Sequence, residues 1–235
     1  MENLLITKKW LKDNHIFNKN FYHPSYYTDD DFNSVKKVIK TQDYYNLPLS
    51  EFIKKLTEYG DDLDFADSIL CHALSKKNHV KYAIYAAESV LGVYEKEYKD
   101  KIPRIAINEA KAWLKNPNQK FTPYNADKFY SDGIHNDITE EVSYALDAAI
   151  DIRYIINGKL KAEWWIDEMP DNLRKDWTVN NTASNASNAI TNMANPEPIS
   201  TNRSLNLQKK IIKFGLYLYE KQAALVNDLN YELAK

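Results

Sequence analysis

The sequence predicts an all-α fold, a single elongated domain of several helices built on antiparallel helical hairpins. The chain has 235 residues, of which 44% are hydrophobic, so it can bury a substantial core. Its 5 glycines are few for folds with many tight turns or with glycine-rich phosphate loops. Apolar residues recur instead at steps of three and four, which is the period of helices that bury one face.

Three short helices are predicted in the first part of the chain. The first covers 3–14, with Leu5 on its apolar face, and the second follows the capping hydroxyl of Thr28 and ends near Thr41. The third begins at Leu49 or Ser50 and ends at Gly60. We therefore expect residues 1–60 to form a helical module that packs on a main domain, residues 61–235.

The main domain opens with a helix from 61–67 onward, and its strongest periodic signal lies between His79 and Lys115. One apolar stripe there runs from Val80 to Tyr98 and a second follows Pro103, a residue that the first turn of a helix tolerates. Two adjacent stripes of this kind pack most simply as an antiparallel hairpin.

Two further helices are predicted towards the end of the chain. Apolar residues at 142–156 form a third stripe, and the stretch 205–233 reads as a long amphipathic helix. We expect Gly215, Gln222 and Leu225 on its buried face and a close helix neighbour at Gly92 and Gly215. The segment 178–204, rich in Asn and Ser, is left open between a polar helix and a loop.

Composition narrows the classes of partner. The formal net charge of -2 makes nucleic acid an unlikely partner, and one cysteine, Cys71, fits a reducing compartment. No run approaches the ~18 apolar residues of a membrane span. We therefore expect a cytoplasmic protein that does not enter a membrane.

A polar pair at the hairpin turn is the first candidate site. Arg104 follows Pro103 in the first turn of a predicted helix, four residues after Asp100 and within reach of Glu95, Glu97 or Glu109. It is either a recognition arginine or a clamp that fixes the turn, and the clamp is favoured because turn arginines often pair locally.

An aromatic and acidic segment is the second candidate site. Tryptophans stand close to carboxylates at Trp164, Trp165, Asp167, Glu168 and Trp177. Such a surface suits a protein partner, although buried aromatic residues are commoner. The basic residues Arg203, Lys209, Lys210 and Lys213 stand near the predicted start of the last helix, where cations oppose the helix dipole.

Catalytic chemistry finds little support in the residue pattern. Cys71 and His72 are adjacent in a helix, so their side chains diverge and cannot act as a nucleophile and base. The stretch 132–141 contains oxygen and imidazole ligands but matches no known metal motif. We predict no catalytic residues, no bound metal and no cofactor.

The hairpin region resembles a known family. Its residues Ala86, Ala87, Glu88, Tyr94, Glu95, Asp100, Pro103, Arg104, Ala106, Ile107 and Trp113 match, in order and spacing, a pattern of immunity proteins found in bacteria and their phages and related to polymorphic-toxin immunity proteins. The chain departs from it at Ile102, where the family usually has an arginine. The resemblance, best over 80–117, implies an all-helical binding protein with no catalytic residues to transfer.

The sequence thus predicts a non-enzymatic protein that occludes a toxin or a defence protein, and that is encoded by a phage if the resemblance extends to its source. One alternative is a protein that sequesters a small anionic ligand such as a nucleotide signal, with Arg104 and Arg153 in its pocket. A metal-dependent hydrolase using 132–141 is a further alternative. Pairing of two copies through alanine-lined helices also remains open.

Overall fold

A computed structural model describes residues 4–13, 45–59, 63–99, 101–119 and 198–233, together with the six positions 145, 146, 148, 149, 152 and 156. Most of the described residues are helical, and the only sheet among them has two short strands. The predicted all-α class is confirmed.

Six helices and two strands follow one another along the described part of the chain. They are β1 (Leu5–Ile6), α1 (Lys8–Asp13), β2 (Leu47–Pro48), α2 (Leu49–Tyr59), α3 (Leu63–Ala73), α4 (Lys76–Glu97), α5 (Ile102–Lys115) and α6 (Pro198–Leu233). The helix predicted after Thr28 lies outside the described residues.

The beginning of the chain differs from its prediction. Leu5 and Ile6 form β1, which pairs antiparallel with β2, so the first helix starts only at Lys8. Asn46 makes the turn before β2 with a φ of 67°, a conformation that asparagine tolerates better than most residues. The backbone N–H of Leu4 donates a hydrogen bond to the Tyr219 hydroxyl, 3.2 Å away, which fastens this sheet to α6.

The predicted hairpin is present as α4 and α5. Helix α4 buries residues on most of its circumference, from Val80 to Tyr94, because α5 packs on one side of it and α6 on another. Helix α5 turns Ala106, Ala110 and Trp113 inward and ends at Asn116, as predicted. The six described positions at 145–156 are helical and buried, which confirms the third stripe where it can be seen.

Helix α6 is longer than predicted. It begins at Pro198, seven residues before Leu205, because a proline fits the first turn of a helix, where its missing N–H has no partner to lose. It packs on α2, α3 and α4 and so joins the N-terminal part to the hairpin. Leu225 was expected to be buried but is 64% exposed, since it lies beyond Gln222, which contacts the corner where α3 ends and α4 begins.

Three hydrogen bonds of the Gln222 side chain fix α6 and its neighbours in register. The Gln222 side chain accepts a hydrogen bond from the Ser75 backbone N–H at 2.8 Å and donates one to the Ala73 carbonyl at 3.3 Å. It also accepts one from the Asn78 amide at 3.1 Å. Since helix ends leave backbone groups without intrahelical partners, one α6 side chain thereby satisfies both sides of the α3–α4 corner.

Candidate functional site

The predicted polar pair at the hairpin turn is a bidentate ion pair. Arg104 at the start of α5 donates from Nε and Nη2 to the two carboxylate oxygens of Glu95 near the end of α4, each at 2.6 Å. These hydrogen bonds lower the pKa of Glu95 and raise that of Arg104. Both side chains remain partly exposed, 30% for Glu95 and 49% for Arg104.

A second ion pair repeats this contact two turns further along the hairpin. Lys111 Nζ lies 2.5 Å from the Glu88 carboxylate, with the two side chains 46% and 43% exposed. Seven residues separate the two glutamates on α4 and the two cations on α5, so both pairs lie along one edge of an antiparallel contact. Two donor atoms of Arg104 are committed within the hairpin, which is the geometry expected of a clamp.

Several predicted site residues lie outside the described part of the chain. They are Asp100, Trp164, Trp165, Asp167, Glu168 and Trp177, as well as Arg153 and the stretch 132–141 of the alternative hypotheses. Among the side chains that the structure does describe, no group of three or more metal-ligating residues converges.

Cys71 is placed as a core residue. Its side chain is buried in α3, with Sγ 4.0 Å from a carboxylate oxygen of Asp67 one turn earlier. Burial, and then the Asp67 charge, raise the pKa of the thiol well above its ordinary value. Because the thiolate is the reactive form, this environment argues against a nucleophilic role.

The contact between α4 and α6 depends on a glycine. A Cβ placed on Gly215 of α6 would lie 2.7 Å from Cε2 of Tyr82 in α4, so the two helices approach closely there, as predicted. The Tyr82 hydroxyl donates a hydrogen bond to Asp67, and both side chains are buried. Gly92 was predicted to have a close neighbour as well, but it is exposed and a Cβ there would meet nothing within 4 Å.

Directly outside this contact, three aromatic rings form a row across α4 and α6. The rings of Tyr85 and Phe214 stack with centroids 4.4 Å apart, and Phe214 and Tyr217 follow at 6.3 Å. Tyr85 and Phe214 are half-buried, whereas Tyr217 is 52% exposed. We call this row, Tyr85, Phe214 and Tyr217, the aromatic face.

Lysines surround the aromatic face. Lys221 lies over the Tyr217 ring, with Nζ 5.8 Å from its centroid. Lys81, Lys210 and Lys213 each precede one of the three rings by four residues, which is one helical turn on the same face. Since α6 begins at Pro198, these α6 lysines lie well beyond its first turn, and the unfavourable dipole expected for them does not arise.

The aromatic face was missed in the sequence, although a signal for it existed. Tyr85, Phe214 and Tyr217 stand outside the apolar stripes that predict the buried sides of their helices. Large aromatic residues at such positions indicate an exposed apolar surface. That the three belong together depends on the antiparallel register of α4 and α6, which no local pattern contains.

Comparisons of the chain with models of known protein families, with curated proteins and with solved structures gave no match. The resemblance to immunity proteins therefore stays a prediction from the sequence. Within the described residues, no helix combines the length and the apolar character that crossing a membrane requires.

Proposed function

We propose that the protein acts by binding another protein through the aromatic face, without catalysing a reaction. The observation that carries the proposal is the row of three rings across two helices, of which Tyr85 and Phe214 are half-buried and Tyr217 is exposed. Tyrosine is prominent among the residues that supply most of the binding energy in protein interfaces, and a ring that is already packed loses little freedom when it binds. In the terms of the sequence resemblance, the bound protein would be a toxin or a defence protein that this chain occludes.

The rigidity of its support favours this surface. Behind the rings, Tyr82 packs against Gly215 while its hydroxyl is held by Asp67. About two turns further along, Gln222 fixes α6 to the α3–α4 corner. The two helices that bear the rings thus keep a defined distance and register, and a preformed surface of this kind suits an occluding protein.

Photo-crosslinking of the full chain in its native host tests the proposal. A photoreactive phenylalanine analogue is placed at Tyr217 and, as the control, at Asn118, which is exposed beyond the end of α5. We expect one protein to be captured from 217 but not from 118, and excess unlabelled chain to compete for it.

The captured protein is then purified, and its affinity is measured for the wild type and for the double variant Phe214→Ser/Tyr217→Ser. Loss of two central aromatic residues is expected to weaken binding by about 30-fold or more. An unchanged affinity for a variant that keeps its helical circular dichroism would refute the aromatic face as the binding surface.

A further inference from the structure

We propose that the aromatic face takes an acidic protein segment, one that presents carboxylates around an apolar or aromatic anchor. This inference rests on the proposed function and names the chemistry of its partner. The inference is carried by the charges of the described residues around the rings. The lysines there form no described ion pair, whereas the nearby glutamates do.

Four lysines of the described residues lie on this face. Lys210, Lys213 and Lys221 are exposed on α6, and Lys81 is half-buried on α4. Among the side chains that the structure describes, none of these four lysines has a carboxylate partner. With respect to the described part of the chain, they can therefore pair with an incoming acidic group without breaking an ion pair.

The carboxylates nearest to the rings in sequence already form ion pairs. Glu88, one turn after Tyr85, pairs with Lys111, and Glu220 on α6 lies 3.8 Å from Lys54 of α2. Within the described part of the chain, the surface around the rings is thus positive, although the whole chain has a formal charge of -2. Opposite charge on the partner would speed association and exclude basic competitors.

The geometry of the rings and lysines matches a short segment. Helical side chains lean towards the N-terminus, so each ring leans over the turn that its preceding lysine occupies. Lys210 to Lys221 span eleven residues, which is about 17 Å along a helix. An apolar anchor set against the rings would therefore have cations on both sides of it, within reach of carboxylates about one turn away.

Two other occupants fit less well. Single-stranded nucleic acid binds by stacking bases on open ring faces, but here Tyr85 and Phe214 stack on each other and the Lys221 ammonium lies over one face of the Tyr217 ring. A second copy related by a two-fold axis would place the same lysines opposite each other, and like charges in an interface are unfavourable.

Selection from a display library of random peptides of about 12 residues tests the inference on the full chain. Peptides are first enriched on the wild type, and binding is then compared with three variants. The aromatic variant Phe214→Ser/Tyr217→Ser identifies the peptides that use the face. The charge variant Lys210→Glu/Lys213→Glu reports on the lysines, and Lys96→Glu/Lys115→Glu, with the same change in net charge at other exposed positions, is its control.

We expect the face-dependent peptides to be acidic with an apolar anchor, to lose at least about tenfold in affinity on the charge variant and to keep it on the control. Raising the ionic strength from about 0.05 M to about 0.5 M should weaken them further. Face-dependent peptides that are neutral or basic would overturn the inference and leave the proposed function standing. An absence of any face-dependent peptide would count against the proposed function itself, and tighter binding of an oligothymidylate that the charge variant abolishes would point to nucleic acid instead.

Discussion

Helix α4 makes two contacts that are built in opposite ways. Against α6 it uses a buried close approach at Gly215 and the hydrogen bonds of Gln222, whereas along its edge with α5 it uses the exposed ion pairs Glu95–Arg104 and Glu88–Lys111. Buried packing tolerates almost no change in volume, while exposed ion pairs are weak and screened by salt. The contact that supports the aromatic face is thus the less tolerant of the two.

The largest effect is expected where α4 and α6 come closest. Replacing Gly215 with valine would drive a branched side chain into the Tyr82 ring, which cannot swing away while Asp67 holds its hydroxyl. We expect the free energy of unfolding, measured with urea, to fall by about 2–3 kcal/mol. The matched control is Gly92→Val, where the space is open and the change should stay within about 0.5 kcal/mol.

A second substitution tests whether the loss in Gly215→Val comes from steric overlap with the Tyr82 ring or from a change in helix propensity. Tyr82→Leu removes the ring that the valine would meet, so the double variant with Gly215→Val should be less destabilised than the sum of the two single variants, by about 0.5 kcal/mol or more. Strictly additive losses would mean that the Tyr82 contact is not what requires a glycine at this position.

The second effect concerns the register between α6 and the α3–α4 corner. Gln222→Ala leaves the Ser75 N–H and the Ala73 carbonyl without this side-chain partner. We expect a loss of about 1 kcal/mol in the free energy of unfolding, because water can replace only part of a half-buried network. Asn206, an exposed amide on the same helix, is the control, and Asn206→Ala should not destabilise the protein.

Hydrogen exchange gives the same comparison a local readout. Relative to the wild type, we expect Gln222→Ala to increase the exchange rate of the first amides of α4 more than that of the first amides of α5, because only the α3–α4 corner loses a partner. Equal increases at both places would show that Gln222 does not hold the register.

What the sequence predicts correctly depends on repeated local signals. The hairpin, its end at Asn116 and the close approach at Gly215 all follow from apolar stripes and helix-end residues. The start of α6 does not, because a segment rich in Asn and Ser with a proline resembles a loop, although Pro198 fits a first helical turn. Strand β1 is equally hidden, since a two-residue strand has no period.

The candidate site is harder to predict than the fold. Arg104 was identified with Glu95 among its possible partners, because both lie at the turn of one hairpin. The stacking of Tyr85 on Phe214 joins residues far apart in the sequence and depends on the register of two helices. The prediction of a close approach at Gly92 was wrong for the same reason, because a glycine in a helix does not indicate which neighbour, if any, faces it.

The smallest effect is expected at the ion pair of Glu95 and Arg104, and its sign can be worked out from the pKa. Hydrogen bonds from Arg104 lower the pKa of Glu95 from its ordinary value of 4.5, so the folded state favours the ionised carboxylate. The resulting stabilisation is fully present above the unfolded pKa and is lost as the pH falls through the folded one. Wild type and Glu95→Gln should therefore differ slightly in melting temperature at neutral pH, and this difference should shrink progressively as the pH falls below about 4.5. Glu97→Gln, at an exposed glutamate two residues away, should show neither the difference nor its decrease at low pH.

Added salt should reduce the difference for Glu95→Gln, since an exposed pair is screened. A difference that survived both low pH and high salt would mean that Glu95 stabilises the hairpin through packing, and the contrast between the two contacts of α4 would then be one of degree.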